Sequence, residues 1–102
     1  MKVDEIISIA EKNNLNLIVE CVEDNHFGLI CWFNVGEFDK INCSVKEGSK
    51  SKLEKMLNEK ADGIMKLFPK FKCVLIEFFD HTHGSGENNE AYYFEFIKPE
   101  RI

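Results

Sequence analysis

The sequence predicts a single α+β domain in which two helices cover one face of an antiparallel five-stranded sheet, in the order α-β-β-β-α-β-β. Three observations predict it. Apolar residues recur at helical spacing near the N-terminus and again over residues 51–68. Five segments read as strands bounded by turn residues, at 15–23, 27–34, 38–46, 71–79 and 91–98. The chain has 102 residues, which is room for one hydrophobic core and not for two, so residues 1–102 are read as one domain.

In the first helix Val3, Ile6, Ile7 and Ala10 share a face, Asp4 or a neighbour caps it, and Asn13-Asn14 closes it. A three-residue loop Asp24-Asn25-His26 then sets Leu17, Val19 and Cys21 on one face with Phe27, Leu29, Cys31 and Phe33. A two-residue loop would turn Asn16 and Glu20 onto that face, because a slip of one residue inverts every side chain. With Val35-Gly36-Glu37 as a second loop, Ile41 faces Cys31, Cys43 faces Leu29 and Val45 faces Phe27, which makes an antiparallel meander.

The second helix has Ser51 and Glu54 at capping-box spacing and an apolar stripe of Leu53, Met56, Leu57, Ala61, Ile64, Met65 and Phe68. Pro69 ends it. Gly63 lowers helix propensity, and its smallness reads as room for a closely packed sheet. In the last two strands Val74, Ile76 and Phe78 alternate in step, as do Tyr92, Phe94 and Phe96, and these belong against the helices. The opposite face of a five-stranded sheet would show Ile18, Glu20, Ile30, Trp32, Lys40, Glu77, Tyr93 and Glu95. That surface is too apolar for ordinary exposure and too charged for a core, as binding surfaces are.

Net charge is −5 and it is segregated. Residues 46–72 sum to +4, while 1–45 and 73–102 sum to −5 and −4. Of 13 basic residues only Arg101 is an arginine, which argues against nucleic acid, whose phosphates and guanines favour the guanidinium fork. No apolar run is long enough for a membrane span, and Met1-Lys2-Val3-Asp4-Glu5 lacks the basic and apolar regions of a signal peptide. The expected location is the cytoplasm. Cys21, Cys31, Cys43 and Cys73 lack paired spacing and read as reduced, mostly buried thiols.

The stretch FFDHTHGSGENNEAYYFEF places His81 and His83 beside Asp80, but no third ligand stands at a defined spacing, and Gly84-Ser85-Gly86 has neither the lysine nor the helix of a phosphate loop. It reads as a polar hairpin tip. Glu77 and Glu95 beside Tyr93 have the residue types for acid–base work but no nucleophile or oxyanion donor in view. No catalytic, cofactor or metal site is therefore expected. His26 reads as a surface turn residue.

In its size, acidity and α+β design the chain resembles the immunity proteins of bacterial toxin systems, those of contact-dependent growth inhibition above all. The resemblance covers the whole chain as a type and carries no motif. It implies an inhibitor that covers the basic active site of a cognate toxin, such as a nuclease. An acidic surface would steer and complement such a partner. The residues expected to meet a basic protein are Glu20, Asp24, Glu77, Asp80, Glu87, Glu90 and Glu95, with Trp32 or Tyr93 as the apolar anchor. The alternatives are a homodimeric adaptor joined through the outer face, and a small-molecule-binding or enzymatic domain using that face.

Overall fold

The computed structural model describes residues 2–39, 41–42, 44–82 and 89–99, with 81 and 82 described by their backbone alone. Helix α1 spans Val3–Lys12 and buries Ile6 and Ala10. Its first turn is closed by Glu5, whose carboxylate accepts from the Lys2 backbone N–H at 3.2 Å. Its last turn ends in a Schellman motif: Leu15 N–H donates to the Ala10 carbonyl (2.8 Å) and Asn14 N–H to that of Glu11 (3.2 Å). Asn14 takes the left-handed conformation this requires, at φ 56°. The Asn-Asn pair thus marks the helix end as the sequence predicts.

Strand β1 is only Asn16–Leu17 and is followed by a 3-10 turn, Val19–Cys21. Strand β2 runs His26–Asn34. Their connection corrects the predicted three-residue loop: Glu23 and His26 bridge directly across Asp24-Asn25. A two-residue loop should invert the strand, and the 3-10 turn undoes the inversion by taking three residues out of register. Leu17 then lies opposite Leu29, on the core side. Val19 and Cys21, expected in the core, are exposed as a consequence.

The predicted third strand of the sheet is also corrected. In place of that strand, β3 (Phe38–Asp39) pairs with β4 (Ser44–Val45) in a separate two-stranded hairpin. Asp39 builds its turn, accepting from the backbone N–H groups of Ile41 (3.0 Å) and Asn42 (3.2 Å) and from the Asn42 side chain (2.7 Å). A carboxylate that can satisfy so many donors locally competes with a long ladder. These bonds hold its carboxyl below the usual aspartate range. Ile41, assigned opposite Cys31, is 92% exposed instead.

Helix α2 spans Glu47–Leu67, about 31 Å of helix, and starts before the Ser51 capping box, so that box is interior. Ser49 serves the preceding loop instead, its Oγ accepting from Glu37 N–H at 3.0 Å. Leu53, Ala61 and Ile64 are buried, followed by Phe68 and Phe71 beyond the helix end. Gly63 is on the exposed side, with nothing within 4 Å of where a Cβ would stand, so it does not serve close packing.

Strands β5 (Lys72–Thr82) and β6 (Asn89–Ile97) complete a four-stranded antiparallel sheet of order β1-β2-β6-β5. The meander is thereby replaced: β6 takes the place beside β2 that residues 38–46 were expected to hold. Phe27 faces Phe96, Leu29 faces Phe94 and Cys31 faces Tyr92. Aromatic pairs explain the choice, because Phe27 stacks on Phe96 at 5.1 Å and also meets Phe68 (4.7 Å) and Phe71 (5.1 Å). The core cluster joins Ile6 of α1, Ala61 and Ile64 of α2, and these sheet residues, so both helices lie on one face. Among the described residues no helix is long and apolar enough to cross a membrane.

Candidate functional site

Among the described residues no helix lies on the other face of the sheet. β2 presents His26, Gly28, Ile30 and Trp32 there, β6 presents Ala91, Tyr93, Glu95 and Ile97, and β5 presents Lys72, Leu75, Glu77 and Asp80. Strand pleating alone sets this membership, since alternate residues share a face. The structure thus brings together five residues that the sequence assigns to the outer face: Ile30, Trp32, Glu77, Tyr93 and Glu95.

Trp32 is 52% exposed, and its cross-strand partner is Ala91, which is fully buried. One strand-pair along, Ile30 faces Tyr93, and Tyr93 faces Glu77 on its other side. Tyr93 lies over Gly28, where a Cβ would come within 2.5 Å of the phenol oxygen. A glycine inside a strand marks such a close approach, and this signal was present in the sequence.

The phenol donates to Glu95 Oε1 at 3.1 Å, and the same oxygen lies 3.3 Å from His26 Nε2. His26 is held from behind, its Nδ1–H donating to the Cys21 carbonyl at 3.1 Å. The second contact becomes an ion pair when the ring carries both protons. Burial, then the Glu95 hydrogen bond and charge, then Cys21 and Glu77 nearby, push the Tyr93 phenol up to about 12. The face therefore carries a braced Tyr–Glu–His chain beside an exposed indole. His26, a surface turn residue on the sequence reading, joins this chain because the two-residue turn places it at the start of β2.

Of the remaining predicted contact residues Asp80 joins Glu77 on the outer face of β5, whereas Glu20 stands exposed in the 3-10 turn and Asp24 in the tight turn, off the strands. Glu90, expected at the surface, is only 5% exposed and lies on the helix side, where Tyr92 donates to its Oε1 at 2.6 Å. Burial, followed by that bond and the Glu90 charge, pushes the Tyr92 phenol up. Glu87 and His83 lie outside the described residues, as does the His81 side chain. Among the described residues no group of three His, Cys, Asp or Glu side chains is placed to hold a metal ion.

The thiols divide by depth. Cys31 is buried, and desolvation, slightly offset by Lys60, pushes it up to about 11. Cys73 is half-buried and is also raised, mainly by burial. Cys21 is exposed, against expectation, and Cys43 lies outside the described residues.

Comparison with known proteins finds no matching family model, no matching curated protein and no matching solved structure.

Proposed function

We propose that this chain is a protein-binding module that takes a basic partner on the uncovered face of its sheet, as an immunity-type inhibitor would take the basic cleft of a toxin. The observation that carries this reading is the exposed Trp32 beside Ile30 and Tyr93, with Glu77, Asp80 and Glu95 on the same face. A half-exposed indole among apolar and aromatic neighbours has the character of a hot-spot anchor. Carboxylates around such an anchor favour lysine- and arginine-bearing partners and raise their association rate. The segregation of charge supports the same reading, since residues 73–102, which hold most of β5 and all of β6, sum to −4.

The test is affinity capture with the intact chain from extracts of its own cells, and co-expression with the product of the adjacent gene. Wild type should retain a basic protein at low salt, and Trp32→Ala or Glu77→Lys should lose it while remaining folded. If that product is a toxin, the same changes should abolish protection. A partner held equally by wild type and both variants would reject the outer face as the contact surface.

A further inference from the structure

Seven large apolar side chains stand exposed among the described residues, and four of them (Val74, Leu75, Phe78 and Phe79) belong to β5. β5 is eleven residues long and, among the described residues, is an edge strand whose one strand neighbour is β6. A long apolar edge is a template for another strand. Its sequence and its irregularities indicate which strand.

Two bulges interrupt β5, at Val74 and Phe79. Lys72, Leu75, Glu77 and Asp80 lie on the outer face, opposite Ile97, Glu95, Tyr93 and Ala91. From Leu75 to Lys72 β5 therefore takes three steps where β6 takes two, and from Glu77 to Asp80 it does so again. A straight partner strand matches neither stretch. A second β5 running antiparallel matches both, because each bulged stretch then faces the other.

We propose that β5 pairs with β5 of a second copy of this chain about a two-fold axis at Ile76, joining two four-stranded sheets into one continuous sheet. Residues opposite each other in an antiparallel pair share a face, so the axis passes through a residue rather than between two. At Glu77 it would set two carboxylates against each other. At Leu75 it would set the Val74 bulge against Ile76 in the regular stretch. At Ile76 it sets Ile76 against its copy, Leu75 against Glu77, and Lys72 against Asp80. The last is a pair of opposite charges, and symmetry makes it twice. Cys73 N–H now donates to Met65 Sδ of α2 at 3.4 Å, a weak acceptor, and so has a stronger partner to gain in a main-chain ladder.

The experiment is sedimentation of the intact chain over a range of concentrations, with Lys72→Glu, Asp80→Lys and the double exchange. Both positions are exposed, so the fold, followed by circular dichroism, should be retained. Wild type should be a reversible dimer. Each single change should raise its dissociation constant about tenfold, since every altered contact occurs twice, and the double exchange should restore it. Amide exchange along β5 should slow as concentration rises. A wild-type chain that stays monomeric, exchange that ignores concentration, or a double exchange no better than either single change would overturn the proposal.

Discussion

Tyr93 and Gly28 sit on neighbouring strands, and the tyrosine ring occupies the space a side chain on Gly28 would need. Gly28→Ala should therefore swing the ring away, break the Tyr93–Glu95 bond and leave most of the fold intact. Spectroscopic titration should show one phenol, at about 12 in wild type, falling back toward 10. A phenol unmoved by the substitution would mean that the ring does not depend on the glycine.

Alkaline stability follows from the raised groups. Cys31 and Tyr93 hold their protons to about 11 and 12 in the folded chain, against 9.0 and 10.0 for the free groups. Between these values the folded state binds more protons than the unfolded one, so stability falls as pH rises. The contribution is complete below pH 9, and it is lost for Cys31 by about 11 and for Tyr93 by about 12. Denaturant melts should show Tyr93→Phe with a shallower decline than wild type above pH 10 and little difference in slope at neutral pH.

Gly63→Ala should stabilise the chain by about 1 kcal/mol, because α2 gains propensity at a position where a methyl group meets nothing. The midpoint of a urea melt should rise with its slope unchanged. A loss of stability would mean that this side of α2 is covered.

Core truncation should separate two positions on the same helix. Ile64 is buried in the cluster, whereas Leu57 is half-buried at its margin. Ile64→Ala should cost about 2–5 kcal/mol and Leu57→Ala less, read from the same melts. Equal losses would contradict the way α2 is seated.

Thiol labelling with mass spectrometry should find Cys21 modified in the native state and Cys31 only after unfolding. Rapid native labelling of Cys31 would mean that the β2–β6 core opens readily.

The sequence made the helices legible because their apolar stripes and terminators, Asn13-Asn14 and Pro69, are local signals. Strand periodicity was equally local, and it placed Trp32, Tyr93, Glu77 and Glu95 on one face correctly. Strand order was not legible. Residues 38–46 and 91–98 offered similar apolar alternation to β2, and the choice rested on aromatic contacts between Phe27, Phe68, Phe71 and Phe96 that are distant in the chain. The 3-10 turn was hidden for another reason. It repairs alternation that a continuous strand also satisfies, so Cys21 and Val19 looked internal until the turn expelled them. Glu90 was misplaced because its burial depends on the hydroxyl of Tyr92, two residues away on the same face.

The position of β6 bears on how this chain comes to be folded at all. It follows every other described strand in the chain, yet it sits between β2 and β5. Its pairings with β2 close separations from 55 residues (Asn34 to Asn89) to 71 (His26 to Ile97). A nascent chain that ends at residue 82 has two long strands with no ladder between them, and α2 has no finished surface on which to dock. Assembly must then wait for the final strand and proceed largely at once, with the slow rate expected when distant segments meet first. Until that moment the flank of β2 away from β1 and both flanks of β5 are open, and the growing polypeptide is most exposed to misassociation in the interval before β6 emerges.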